Sequence, residues 1–368
     1  MTQFNKPHYQ YLDALRGVAA LVVVYFHVSQ NIFNYTHNHL WVHGYLAVDL
    51  FFMLSGFVLG YAYDAERWKN LTTLQFIKLR IHRLHPMVLL SILLGLVGFI
   101  YFGCSTWDGK PVPASHLTLT VLGHVFMVPS LPGWITDISG DGAAFPLNGP
   151  LWTLWFEYLG SLLFALLLRR LSTRWLALLA ALLALPLAYF GYNPVSYQFG
   201  LGLGPSFEPY GFTVGLVRML FAFTIGSLLA RVYEPRRVKG AFWISVALLL
   251  LVLSMPGLEP LGPQHYNGIY DVACIILIFP LIVWIGASTT TRGGTTAAFC
   301  AFLGAISFPL YAIHYPIVDF FAQFIFWRKI PAHDALPLAL VLIPALIILA
   351  WLLYKYYETP VRRLLRKK

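Results

Sequence analysis

Apolar runs long enough to cross a bilayer recur along the whole chain, each ended by cations, turn residues or polar stretches. A helix rises ~1.5 Å per residue, so about 20 residues span the hydrocarbon. On that scale the pattern predicts ten spans, at about 14–34, 45–63, 86–103, 150–168, 174–190, 211–231, 241–257, 268–287, 303–326 and 335–357. An eleventh run, 117–128, is too short and contains Thr118, Thr120 and His124. The cations decide its placement. With the N-terminus in the cytoplasm and 117–128 lying on the outer surface, the 25 Lys and Arg face inward except Lys110, Arg328, Lys329 and the intramembrane Arg218. If 117–128 crossed, Arg169, Arg170, Arg174, Arg231, Arg236, Arg237 and Lys239 would all move outside. The predicted fold is therefore an all-α polytopic membrane protein with ten transmembrane helices, both termini cytoplasmic and a short outer interfacial helix.

Composition agrees. The 368 residues are 58% hydrophobic and only 11% charged, against about 25% charged in soluble domains. A chain of several soluble domains is excluded. The net charge of +10 does not form a nucleic-acid patch, because its cations sit at the ends of apolar runs, where they meet membrane lipids. No nucleic-acid partner is expected. Cys104, Cys274 and Cys300 make no disulfide framework. The first apolar run contains Arg16 and His27 and is followed by no small-residue cleavage site, so it is expected to be retained.

Candidate chemistry starts on that first helix. Arg16 and His27 are eleven residues apart, about three turns and ~16 Å on one face, with Asp13 within pairing reach of Arg16. Ionisable groups at membrane depth are costly and usually serve function. Asp49, Glu157 and Arg218 fall near the depth of His27 on three further helices. Convergence of all four on one polar pocket is the expected arrangement, with two separate ion pairs as the alternative. His314 sits mid-span, just before Pro316. Arg80 and Arg83, with Lys78, His82 and His85, form a cationic patch before the third span. Guanidinium forks suit phosphate, although such charges also set topology or meet lipid headgroups. His37, His39 and His43 have ligand-like spacing but no Cys or carboxylate before Asp49, so no metal is expected. Walker A, HExxH and GxSxG motifs are absent. So are paired internal repeats, which counts against the second functional class, a carrier or exporter of an anionic metabolite.

Taken together, the motifs resemble the acyltransferase-3 family of integral membrane O-acyltransferases. They are Leu12-Asp13-x-x-Arg16-Gly17 with His27, Val48-Asp49-Leu50-Phe51-Phe52 with Leu54-Ser55-Gly56-Phe57, and Arg80-x-x-Arg83 with Pro86. Further along come Leu151-Trp152-Thr153-Leu154 with Glu157, Ser307 and Leu310-Tyr311 with His314 and Pro316, and Glu358-x-Pro360. Two positions depart from the family pattern. Tyr158 stands where a second acid often follows the residue matching Glu157, and Ala222 where many members carry Glu.

The resemblance implies one membrane-embedded acyltransferase domain over residues 1–368, without a fused soluble domain, in a bacterial cytoplasmic membrane. It implies acyl-CoA, acetyl-CoA by preference, as cytoplasmic donor and a hydroxyl of an extracytoplasmic glycan or glycolipid as acceptor. Transfer is direct or handed to a separate envelope-assembly protein, and a non-catalytic role in such an assembly is a third class. In this scheme Arg80, Arg83 and Arg16 hold the CoA phosphates while the thioester arm extends ~15–20 Å along the first helix toward His27. His27 is base or acyl carrier, oriented by Asp49 or Glu157. Asp13 pairs with Arg16, and Ser55, Arg218, His314 and Trp152 contact substrate or stabilise the oxyanion.

Overall fold

The computed structural model describes residues 9–33, 41–63, 70–193, 200–202, 206, 208–234, 236, 238–258, 265–288 and 294–366. Where lipid offers no hydrogen bonds, each segment must satisfy its own backbone, and helices do so. The helices are α1 (Gln10–Phe33), α2 (Ala47–Ala62, entered through the 3-10 turn Val42–Leu46), α3 (Thr73–Tyr101) and α4 (Ala114–Val125). Next come α5 (Leu151–Leu166), α6 (Thr173–Tyr192), α7 (Pro209–Val232), α8 (Ala241–Leu253) and α9 (Tyr266–Ala287, with a π turn at Cys274–Ile278). Last are α10 (Gly294–Trp327) and α11 (Ala332–Leu353), which runs through the π turn Tyr354–Glu358 into α12 (Thr359–Arg366).

Among the described residues nine helices are long and apolar enough to cross a membrane. Each matches a predicted span. The tenth prediction, 241–257, corresponds to α8, which has only 13 residues. The third span begins well before residue 86. Thr72 and Gln75 form a reciprocal capping box that starts α3 at Thr73, and Pro86 lies inside the helix. Arg80 and Arg83 therefore ride on the helix instead of preceding it.

Close backbone contacts set the bundle's centre. Any Cβ on Gly17 would collide with the carbonyl of Leu303, so α1 and α10 touch main chain to main chain. Gly56 lies in the same way on Phe223, joining α2 to α7. Within its apolar window the segment Val42–Ala62 is 83% buried, against 18% for His333–Leu365, which places α2 inside and α11 at the rim.

The segment between α3 and α5 starts and ends at one end of the bundle. Leu147 packs on Gly95, and Glu157 pairs with Arg80, so α5 runs back along α3. Helix α4 consequently does not cross, as the cation pattern predicted. It buries Thr120 and His124 and exposes Leu119 and Leu122, an inverted amphipathicity that suits an apolar exterior. The start of α1 and helix α12 meet at the opposite end, where Gln10 and Arg362 line one cavity. That end is called the terminal end below, and the other the loop end. Lys6, Arg67, Lys69, Arg237, Arg292, Lys367 and Lys368 of the predicted inner set, together with His37 and His39, lie outside the described residues.

Candidate active site

A cavity of about 430 Å³ opens at the terminal end between α1, α2, α3, α5, α10 and the α11–α12 turn. Asp13 and Arg16 of α1 line it with Ser55 of α2, Arg83 of α3, Glu157 of α5, and Glu358 and Arg362 of the last turn. Arg16 donates to the Ser55 hydroxyl at 2.9 Å and to Asp13 at 3.4 Å. Ser55 in turn donates to Glu157 Oε1 at 3.1 Å. The same oxygen accepts from Arg80 at 2.6 Å, and Arg80 Nε donates to Ser161 at 3.1 Å. Arg80 is only 6% exposed and fully engaged. Arg83 lines the cavity with no hydrogen bond or ion pair among the described residues. Arg362 donates to Glu358 Oε1 at 2.9 Å, while the buried Glu358 Oε2 has no partner among the described residues. Four guanidiniums (Arg16, Arg80, Arg83, Arg362) face three carboxylates (Asp13, Glu157, Glu358), leaving the site one positive charge in excess.

Toward the loop end the cavity closes at Phe51, Thr153 and Tyr311. The Tyr311 phenol and Thr153 hydroxyl share a 2.6 Å hydrogen bond, and the Phe51 ring meets Tyr311 edge-on. One turn along α10 from Tyr311, the fully buried His314 donates from Nδ1 to the Tyr311 carbonyl at 2.7 Å. Its Nε2 is buried without a partner among the described residues. Pro316 removes the N–H that would serve the Ala312 carbonyl, and the Asn148 amide supplies the missing donor at 2.9 Å. The His314 ring stacks on His27, with centroids 5.3 Å apart and planes at 29°, and Tyr315 meets His27 edge-on at 5.1 Å.

The structure brings Asp13, Arg16, Ser55, Arg80, Arg83 and Glu157 together, and His27 with His314. It does not run an open shaft to His27, which is not among the cavity-lining residues because Tyr311 and His314 stand between. Nor do the four deep ionisable groups converge. Arg218 forks onto Asp49 at 3.0 and 2.6 Å, while Glu157 of α5 pairs with Arg80 of α3 at 2.6 Å, level with Ser55 and not with Asp49 on α2. The alternative of two ion pairs is what forms, since each guanidinium finds one carboxylate directly opposite on the neighbouring helix. Trp152 packs edge-on against Phe156 at 5.8 Å and lies outside the cavity.

Four participants were not singled out as site residues from the sequence, Tyr311 among them as part of the Leu310-Tyr311 motif. Thr153 and Glu358 were noted only within motifs, and Arg362 only as a topological charge; the Glu358–Arg362 spacing of four residues was the available signal. Asp271 was missed altogether. It accepts from the Leu201 N–H at 2.7 Å, from Tyr45 at 3.0 and 3.1 Å, and pairs with His43 at 3.2 Å. His43 is thus a buried hydrogen-bond partner of Asp271 on the loop-end side, and among the described residues no group of side chains could hold a metal. Arg218 also donates to the Leu201 carbonyl at 2.8 Å, so this second cluster ties the 200–202 segment to α2, α7 and α9.

The acyltransferase-3 model, described as an acyltransferase domain, matches residues 9–355. The chain is 27% identical to acyltransferase MdmB of Streptomyces mycarofaciens over 97% of its own length and 92% of that protein. It is 25% identical to the O-acetyltransferase OatA of Staphylococcus aureus over 96% of its length, spanning 57% of OatA. It is 34% identical to protein 2 of the picA locus of Rhizobium radiobacter over 45% of its length. No solved structure matches the chain. With the motifs, the membrane-spanning bundle and the family match agreeing over nearly the whole length, the chain belongs to the acyltransferase-3 family.

Proposed function

We propose that this protein transfers an acyl group, acetyl by preference, from acyl-CoA at its terminal, cytoplasmic end to a hydroxyl of an extracytoplasmic carbohydrate. The observation that carries this reading is Arg83, a cavity-lining guanidinium with no hydrogen bond or ion pair among the described residues, in a site with one surplus positive charge. Such a group, with Arg362 and Arg16 on the same wall, suits the phosphates of a CoA donor. Arg80 serves instead to hold Glu157, and through Ser55 to hold Arg16, in place.

The acyl end of the donor then points at Tyr311, whose phenol donates to Thr153 in the closed ceiling while Thr153 donates to the Pro150 carbonyl. The phenol is the donor freed for a developing oxyanion when that bond opens. Ser55 and Arg218, the groups the sequence offered for this task, are bonded elsewhere. Beyond Tyr311 lies His27, which takes the proton of the acceptor hydroxyl as its oxygen attacks the thioester carbon; the C–O bond forms and the C–S bond breaks. Tyr311 and Thr153 must part for acyl group and acceptor to meet, so the closed ceiling is a gate in this mechanism. It also keeps water from the thioester in the absence of acceptor.

The test is mass spectrometry of surface carbohydrate from bacteria with the protein, without it, and with His27→Ala or Arg83→Ala at equal membrane abundance. The expected result is an ester mass increment only with the unaltered chain. Unchanged esters in both variants would overturn the mechanism. Labelled acetyl-CoA appearing intact across a vesicle membrane would favour a carrier.

A further inference from the structure

Beyond the cavity ceiling two imidazoles lie in contact, and the chemistry above employs only one. His314 donates from Nδ1 to the Tyr311 carbonyl at 2.7 Å, so the neutral ring has its proton on Nδ1 and a vacant lone pair on Nε2. That atom is buried with no partner among the described residues, in a fully enclosed side chain. A buried polar atom without a partner costs stability, and a functional need for it to stand vacant explains its retention. The ring stacks on His27 one helical turn beyond Tyr311, the last cavity-lining residue of α10, so His27, held edge-on by Tyr315, turns about its side-chain bonds to bring a nitrogen onto Nε2. The carboxylates that might have served His27 are engaged: Asp49 with Arg218, Glu157 with Arg80.

We propose that His314 is the proton partner of His27, its Nε2 receiving the proton that His27 takes from the acceptor hydroxyl and delivering it to the departing thiolate. The inference rests on the acyl-transfer reading given above. In balance, the hydroxyl O–H breaks, its oxygen bonds to the acyl carbon, and the C–S bond breaks with its electron pair left on sulfur. The proton moves from hydroxyl to His27, to His314 and to sulfur, and both imidazoles end neutral. The Nδ1–H of His314 stays on the Tyr311 carbonyl throughout, which holds the ring in the tautomer that can accept at Nε2. Separate imidazoles then serve the acceptor side and the donor side, and no imidazolium is left beside His27 for the next turnover. The ionisable groups in ring contact with the pair are the phenols of Tyr311 and Tyr315; Phe26 of α1 touches His27, Phe51 of α2 reaches Tyr311, and Met87 of α3 packs on Ala312 and Ile313.

His314→Asn is the direct test, because an Asn amide keeps the donor to the Tyr311 carbonyl and removes the base. The full chain in detergent is assayed for CoA release from acetyl-CoA with a panel of neutral mono- and oligosaccharides as hydroxyl probes. Expected is a roughly 100-fold loss of kcat with KM for acetyl-CoA within twofold of wild type and an unchanged Tm. A structural role alone would not alter the proton inventory in mixed H2O and D2O. That plot is expected to be curved for wild type, with two protons in flight, and linear for His314→Asn. His314→Gln, which places an amide near Nε2, should behave like Asn and covers the case in which Asn folds poorly. Retention of more than a third of the wild-type kcat in either folded variant, or linear inventories for all forms, would overturn the proposal. Loss in His27→Asn alongside full activity in His314→Asn would overturn only this inference, whereas absence of transfer by wild type would overturn the reading beneath it.

Discussion

At the scale of single residues, two buried ion pairs of similar geometry are assigned different duties. Arg218 and Asp49 are 1% and 0% exposed and lock α2 to α7 outside the cavity lining. Removing one partner leaves an uncompensated buried charge, so Asp49→Ala should destabilise the protein by roughly 3–5 kcal/mol. The combined replacement Asp49→Leu with Arg218→Met should recover most of that loss, as read by Tm in detergent. Failure of the double variant to recover would show that the pair does more than hold the helices. Arg80 and Arg83 divide in a comparable way. Arg80→Ala should lower Tm because Glu157 loses its counterion. Arg83→Ala should leave Tm unchanged and raise KM for acetyl-CoA about tenfold or more, as expected for one charge-assisted contact to phosphate. Isothermal titration with desulfo-acetyl-CoA separates the two. Asp49, Glu157 and Arg218 stand out in the sequence because each interrupts an apolar run, and Arg80 and Arg83 because they cluster just before one. The sequence did not show the pairings, since a carboxylate at a given depth can face any of several neighbours and only helix packing decides which.

At the scale of elements, the ends of the helices were the least legible. Hydropathy places the third span at residue 86, where the apolar run starts, but the Thr72–Gln75 capping box adds more than three turns of polar helix in front. Cap chemistry outweighed hydropathy there. Helix α4 was readable as non-crossing because counting it would invert the cation pattern downstream, and its inverted amphipathicity follows from burial of Thr120 and His124. His124 bonds Ser130, and burial pushes its pKa down to about 4. The ordinary value is ~6.5, so between those limits the unfolded segment binds the proton and the folded one does not. The stability from this residue is therefore complete above about pH 6.5 and is lost as pH falls toward 4, by a few kcal/mol at ~1.4 kcal/mol per pH unit. Hydrogen exchange across 114–136, corrected for intrinsic rates, should show protection falling between pH 7 and 5 in wild type but not in His124→Gln. Equal loss in both would place the pH response elsewhere.

At the scale of the whole molecule, the bundle joins a polar cavity at the terminal end to a histidine pair deeper in the bundle, separated by one hydrogen-bonded gate. Periodicity and charge asymmetry carried the architecture, because a bilayer leaves a chain few alternatives to helices of fixed length. The interruption of the predicted shaft was not legible. Tyr311 and Thr153 look in the sequence like ordinary span residues, and their mutual bond arises only when α5 packs on α10. The central claim is that donor and acceptor are served from opposite faces through this gate. The measurement that tests it most directly uses proteoliposomes of known orientation, with labelled acetyl-CoA supplied only at the face bearing the chain termini and carbohydrate acceptor only at the other. The account predicts labelled ester on the far-side acceptor and free CoA on the near side, both lost in His27→Ala. Ester formed only when donor and acceptor share one face would contradict it.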